Sequence, residues 1–300
     1  MESARYVFQP WEGAKVIGYR FFSANSIIWR LNQGAVIPLS PPSSLAGFDK
    51  SNACQVRENQ GAYLLRWESD FDSISGSEWW HIIKDHLDVL EDLPKKVRYM
   101  IRRSKRRYVA RRVYVELILK DGYKVYSEAY KRYNTHEKMF SRNEFDEAVK
   151  HLPQTTEFWA VFEISSQRMV AFSENHIELN TCFYLTMWIE PEALEEFAGY
   201  LLFYEMEQHY LGERGFEYIS DGARSLSHDT KIHEFLVSKF GFRKAFARLN
   251  IVYAPWLTVV VAIVFPFRRL IVKIPISIFT KASVLLLQEE IRRQFLGAKY

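Results

Sequence analysis

A chain of 300 residues that is 48% hydrophobic and 25% charged has enough apolar material to bury a sizeable core, which excludes a disordered or low-complexity protein. Its formal net charge of +4 is modest, so any strongly basic surface has to be local. Two cysteines, Cys54 and Cys182, stand too far apart for a C-x-x-C pair, which points to a reducing, cytoplasmic setting and leaves a single disulfide open.

The opening residues interleave Glu2, Arg5, Glu12 and Lys15 with apolar ones, so no secretory core develops there. Residues 21–29 are too short and too polar to span a bilayer. Residues 34–39 predict a strand that ends in a loop carrying Pro38, Pro41 and Pro42, and 62–67 (AYLLRW) predict another. With them, residues 1–112 read as an N-terminal lobe with a partial sheet. Residues 77–113 predict helix, first through Trp79, Trp80, Ile82, Ile83, Leu87 and Leu90, then by a restart after Pro94. Between Lys95 and Arg112 stand ten Lys/Arg residues and no acid. Such a face, with Arg98, Arg102 and Arg103 at its centre, suits the phosphates of RNA, of a nucleotide or of an anionic lipid head group. The plain alternative is a solvated face balanced by acidic loops elsewhere in the fold.

Residues 113–119 (VYVELIL) predict a strand, 123–133 a helix, and 139–152 a polar, partly helical stretch. Residues 158–164 (FWAVFEI) and 169–172 are apolar runs separated by Ser165, Ser166 and Gln167, the punctuation of a hairpin. Residues 182–190 alternate, placing Phe183, Leu185, Met187 and Ile189 on one face and Cys182, Tyr184, Thr186 and Trp188 on the other. Pro191 ends that run. Beyond it Leu194, Phe197, Ala198, Leu201, Leu202 and Met206 recur at helical spacing up to Gly215. A strand over 216–220, a helix over 230–240 and a last extended run after Gly241 complete the segment. The fold class expected is α/β (α+β), a mixed central sheet with flanking helices.

The order of residues 157–248, closing on KFGFRKA, resembles the later part of the acyl-CoA N-acyltransferase (GNAT) fold. Gly215-Phe216-Glu217-Tyr218-Ile219 matches the strand after that fold's donor helix, and Lys239-Phe240-Gly241-Phe242 its Lys-x-Gly-Phe ending. Upstream, Leu93-Pro94-Lys95-Lys96-Val97-Arg98 with Ile101-Arg102-Arg103 is similar to a helix of the Fem-type transferases, which carry two lobes of this fold. The resemblance implies a GNAT-like domain over 113–252. It also implies acyl or aminoacyl transfer to an amine, with acyl-CoA, acyl-carrier protein or aminoacyl-tRNA as donor. Acyl-CoA users start the helix with a glycine-rich loop that cradles a diphosphate. Here the corresponding positions are Ala193, Glu196 and Ala198, and Glu192, Glu195 and Glu196 would repel a diphosphate. A different donor, such as the aminoacyl-tRNA of the Fem type, fits the departure better.

No Gly-x-Ser-x-Gly elbow, Walker loop, HExxH or paired-cysteine pattern occurs. His81 and His86 are on different faces of any helix; Asp229 and His233 have a spacing that serves two metal ligands or, more plainly, a cap. No metal is expected. Amide formation by the resembled fold needs a base, donors for the oxyanion and an acid for the leaving group. Asp221, His228 and Glu174 are the candidate catalytic residues under that resemblance. Tyr184, Thr186, Trp188 and Arg224 are candidates for substrate binding, and Arg98, Arg102 and Arg103 for the donor or another anion. Each also has a structural use as turn, cap or core.

The last segment, 253–300, reads as a tail. Residues 256–267 form a nearly continuous apolar run, too short to cross a membrane and followed by Arg268 and Arg269. Residues 270–287 continue it, broken at Pro275 and carrying Lys273 and Lys281, and 285–295 predict an amphipathic helix. Attachment to an anionic inner membrane face is one reading; wrapping around the N-terminal lobe is the other. The function expected is an N-acyl- or aminoacyltransferase acting on an amine of a sugar, peptide or lipid precursor of the cell envelope. The alternative is a non-catalytic GNAT-like scaffold that binds an anion or a protein, and a third reading makes the basic segment an RNA contact.

Overall fold

Hairpin turns in left-handed backbone organise the first sheet. The computed structural model describes residues 19–132, 138–226, 231–271 and 277–294. β1 (Tyr19–Ala24) turns into β2 (Ile27–Asn32) through Asn25 and Ser26, both at positive φ, and β2 into β3 (Ala35–Pro38) through Gln33 and Gly34, again both positive. Two such residues in succession give the turn whose twist matches paired strands. At Gly34 a Cβ would stand 2.5 Å from the Tyr63 ring, so glycine is required there for space as well as for backbone. Helix α1 (Lys50–Asn59) starts at a capping box between Asp49 and Asn52 and leads to β4 (Leu64–Ser69).

β5 (Trp80–Lys84), α2 (Lys95–Ser104), β6 (Tyr108–Val113), α3 (Tyr123–Tyr130), α4 (Arg142–Lys150), β7 (Thr156–Glu163), β8 (Met169–Glu178) and β9 (Thr181–Ile189) follow in order. Then come α5 (Pro191–Glu195), α6 (Ala198–Glu207), β10 (Tyr218–Ala223), α7 (Lys231–Phe240), β11 (Arg243–Phe246), β12 (Arg248–Tyr253), α8 (Pro255–Val264) and α9 (Ser277–Gln294). One sheet has the order β1-β2-β3-β4-β12 and the other β11-β5-β10-β9-β8-β7-β6. Both are mixed: the first sets the parallel pair β3 and β4 among antiparallel neighbours, and in the second β9 runs parallel to β10 while β6, β7, β8 and β9 pair antiparallel. Mixed sheets with flanking helices are the α/β class expected from the sequence.

The chain forms two compact units. The first joins residues 1–81, 223–231 and 244–300; the second joins 82–222 and 232–243. Proximity in space therefore cuts across the consecutive segments 1–112, 113–252 and 253–300. The first unit is centred on Trp29, Val36, Leu65, Trp67 and Val252, and the second has Phe158, Ala160, Phe162 and Phe172 of its sheet packed under Val125, Tyr126 and Phe145 of α3 and α4. Both cysteines are free thiols.

Two expectations need correction. Residues 77–113 are not one helical region: Trp80–Lys84 is strand β5, only Lys95–Ser104 is helix, and Tyr108–Val113 is strand β6, antiparallel to β7. WWHIIK is a short apolar run with no period of its own, and its place between β10 and β11 decides it. Residues 113–119 are not a strand either, for Val115–Leu117 begins a helical turn that continues through a π-turn at Ile118–Gly122 into α3. Val115, Leu117, Ile118 and Leu119 pack with the aromatic cluster of the second unit, so this apolar segment is buried as helix.

Candidate active site

Three strands of the second unit set the geometry. Leu179 and Asn180, both in left-handed backbone, return β8 into β9. The two strands pair from Glu178↔Thr181 to Asn175↔Tyr184, and again from Glu174↔Thr186 to Ala171↔Ile189, which leaves Leu185 as an extra residue. Such a bulge takes a residue out of the ladder and bends its strand. On the other edge β9 runs parallel to β10 only through Tyr218↔Thr181, Ile219↔Cys182 and Ser220↔Phe183. Beyond Phe183, β9 stays on β8 and parts from β10. The bulge and the parting fall at the same place. Gly222, at φ +82°, lies so close to Phe183 that a Cβ would meet the ring at 2.7 Å.

The bulge corrects the expectation that Thr186 and Trp188 share the face of Cys182 and Tyr184. One extra residue reverses the alternation. Before the bulge, Tyr184 faces α6, with its ring 5.8 Å from that of Phe203. After it, Thr186 donates to Glu174 Oε2 at 2.8 Å, and Trp188 packs edge-on against Tyr126 at 4.7 Å, both on the face covered by α3. Trp188 is thus part of the aromatic core of this unit.

Glu174 is buried, paired across β7 with Phe158, and its carboxyl is pushed up to about 7 by burial, with the Thr186 hydroxyl offsetting part of the effect. A carboxyl at that value gives and takes a proton near neutrality. On the opposite face the Tyr184 hydroxyl is buried without a hydrogen-bond partner, and burial holds its phenol well above the usual range. It is a neutral donor. Asp221, near the end of β10, meets Nε2 of His233 on α7 at 3.2 Å; burial raises its carboxyl and His233 pulls it back. His233 thus pairs with Asp221 across β10 and α7. His228 and Asp229 lie outside the described residues.

Behind these groups the bent strand is held by hydrogen bonds. Ser173 donates to Asn175 Oδ1 at 2.6 Å, Asn175 donates to Tyr210 Oη at 3.2 Å, and Trp159 donates to the same oxygen at 3.0 Å. Tyr210 donates in turn to Glu157 at 3.1 Å, which also binds Arg214 and Arg112. A second cluster has no counterpart in the sequence reading. Lys84 of β5 and Glu207 of α6 are both 0% exposed and 2.8 Å apart, and Lys84 reaches Asp88 at the same distance. Burial pushes the Glu207 carboxyl up while Lys84 draws it down, and Glu207 Oε1 has no hydrogen-bond partner. Lys84 and Glu207 are 123 positions apart, and no local pattern announces either.

The start of α6 is acidic, and one of its glutamates is held by a cation of α2. Phe197 takes left-handed backbone (φ 67°) just before the helix, an uncommon state for a bulky residue. Arg103 of α2 lies 5.3 Å from the centre of its ring and binds both oxygens of Glu196 at 3.2 and 3.0 Å. Glu192 and Glu195 remain exposed beside it. Other cations of the basic segment also meet carboxylates: Arg102 with Glu91, Lys105 with Glu205, Arg107 with Glu163 and Arg112 with Glu157. Arg98 donates to the Glu91 carbonyl, and Arg111 stacks on Phe162. Much of the charge that stands unbalanced in sequence is balanced in space. In the first unit Arg224 binds Glu78 at 2.9 Å and lies over Trp80. Among the described residues no group of three or more His, Cys, Asp or Glu side chains could hold a metal ion.

No protein-family model matches the chain, and no curated protein matches it significantly. Among solved structures it is similar to FemX, with a TM-score of 0.54, 10% identity, and coverage of 82% of this chain and 91% of that one. It also aligns with L-PGS from Bacillus licheniformis (TM-score 0.47, 13% identity, 92% and 90% covered) and with a tandem GNAT protein from the clavulanic acid biosynthesis pathway (0.44, 10%, 80% and 86%). Those two scores are too low to carry an argument. The similarity to FemX establishes the fold: the chain has a GNAT-like fold of the Fem type.

Proposed function

We propose that the protein transfers an acyl or aminoacyl group to an amine at the point where β9 leaves β10. The observation that carries this reading is Glu174, a buried carboxyl pushed up to about 7, hydrogen-bonded to Thr186 immediately after the bulge. Glu174 takes the proton of the acceptor ammonium. The amine nitrogen then attacks the acyl carbon, and backbone N–H groups on the edge of β9 that β10 no longer covers stabilise the oxyanion. The carbonyl re-forms as the donor's sulfur or ribose oxygen leaves with a proton from Tyr184 on the α6 face, and the attacking nitrogen gives up its second proton to the Tyr184 oxygen. Acceptor and donor thus approach from opposite faces of the sheet, as the bulge divides Glu174 from Tyr184.

Glu196 bound to Arg103, with two further glutamates exposed beside it, argues against a CoA diphosphate at the start of α6. An aminoacyl-tRNA donor, whose reactive ester lies far from any diphosphate, agrees with that chemistry. The acceptor is an amine of a sugar, peptide or lipid precursor. The same acidic helix start favours a second reading, a GNAT-like scaffold without catalysis. Thermal-shift measurements with acyl-CoA, acyl-carrier protein and aminoacyl-tRNA separate the two, since a ligand of the folded state raises the melting temperature. Transfer predicts stabilisation by one donor and discharge of that donor when amines are supplied, with Glu174→Gln slowing discharge by roughly 10²-fold or more. Donor binding without discharge, or discharge unchanged in Glu174→Gln, sinks the assignment.

A further inference from the structure

Helix α8 is apolar on both sides, yet only one side is covered. Leu257, Val261 and Phe265 face inward and are buried; Leu257 and Val261 pack with Ala254, Tyr253 and Leu285 of the first unit. Trp256, Val259, Val260, Ile263, Phe267 and Leu270 are each 44% to 65% exposed. Successive steps of three, one, three, four and three keep them within one stripe along α8 and the helical turns that follow it. An outer face made of large aliphatic and aromatic side chains is not the surface of a helix that ends its packing at water.

We propose that this stripe lies in the interface of an anionic phospholipid bilayer, parallel to its plane. Three observations choose lipid over another occupant. First, from Val259 to Leu270 the stripe is wholly aliphatic and aromatic hydrocarbon, and the Thr258 hydroxyl beside it donates back to the Ala254 carbonyl at 3.2 Å; its one polar group, the Trp256 indole N–H, stands at the very start. A hydrocarbon surface asks for no directional bonds, whereas a protein partner is ordinarily met by a polar rim. Second, the two ends have the chemistry of a membrane boundary. Trp256 and the exposed Tyr63 stand edge to face, 5.8 Å apart, at the start. At the other end Arg268 pairs with Glu290, Arg292 and Arg293 share Glu289, Arg268 and Arg293 stack on Phe265, and Arg269 is exposed, so that among these described residues four cations meet two carboxylates. That surplus of positive charge suits anionic head groups. Third, no helix among the described residues is long and apolar enough to cross a membrane, so the stripe lies on the bilayer instead of spanning it.

The inference does not depend on the transferase reading. Its test is flotation of the full-length protein with vesicles of phosphatidylcholine alone and of phosphatidylcholine mixed with phosphatidylglycerol. The wild type is expected to float with the mixed vesicles and much less with the neutral ones. Val259→Glu combined with Ile263→Glu, both at exposed positions, is expected to lower the bound fraction by roughly tenfold or more with an unchanged melting temperature. Arg269→Glu is expected to reduce the preference for the anionic vesicles and to make binding less sensitive to salt. A wild type that stays in the soluble fraction overturns the proposal, as does a double variant that floats equally well. Light scattering covers the remaining case: a wild-type dimer that the double variant turns into a monomer assigns the stripe to a second copy of the chain and overturns the lipid assignment.

Discussion

Glu174 shows how a single side chain draws its chemistry from surroundings that its sequence neighbours do not reveal. In the string SENH it is one acid among many, but on β8 it sits under an aromatic layer with one hydroxyl for company. The folded carboxyl keeps its proton up to about pH 7, while an exposed glutamate loses its proton near 4.5. Where the folded group holds a proton that the unfolded group has lost, stability falls as pH rises. The contribution is therefore full below about pH 4.5 and is lost progressively as pH rises to about 7, with an upper bound of roughly 3 kcal/mol. Glu174→Gln keeps the shape without the titration. The variant is expected to be more stable than the wild type at pH 8 and to show a shallower fall between pH 5 and 8 in urea unfolding. Equal slopes would place the titration elsewhere. At this scale the sequence offers Glu174 and Asp221 as acids on or at the end of strands, but their burial, and His233 as the partner of Asp221, could be identified only after the chain had folded.

At the scale of elements, one inserted residue and one buried pair decide what the second unit can do. The alternation of residues 182–190 is real in the sequence, but Leu185 is added to it without a partner, and a reader of the period alone cannot see where the opposite strand skips. The order of strands and helices from 157 to 248 was legible, because Pro191, Gly215 and Gly241 mark ends that backbone geometry imposes. β5 and β6 were not, since a short apolar run and a basic run each suit either state until a neighbouring strand accepts them. The Lys84–Glu207 pair joins β5 to α6 inside this unit. Removing only the ammonium, as in Lys84→Met, leaves Glu207 buried without its counter-charge and is expected to cost about 3–5 kcal/mol. Lys84→Met with Glu207→Leu removes both charges and should recover most of that loss. Urea unfolding of the two single variants and the double variant checks this as a double-mutant cycle. Additive losses would show that the pair is not coupled.

For the molecule as a whole, the connection between chain order and compactness matters most. The first unit takes residues from three separate segments, and its edge strand β12 comes from the last of them, pairing with β4 through six residues from Arg248↔Ser69 to Tyr253↔Leu64. Ending the chain at Arg243 removes that strand along with Leu249, Ile251 and Val252 from buried positions. Hydrogen exchange is expected to show amide protection lost along β4 in such a truncation, with a fall in soluble yield. Retained protection would mean that the first sheet closes without β12. The sequence by itself determined the fold class, the order of elements in its second half and the presence of an apolar, basic-flanked stretch near its end. Each of these depends on the periodicity and turn chemistry of neighbouring residues. The tertiary structure alone decided which charges are neutralised, which face Tyr184 and Thr186 take, and where carboxyls are buried deeply enough to hold protons near neutrality. Those properties arise from contacts between residues far apart in the chain, and the energies involved exist only after water has been excluded.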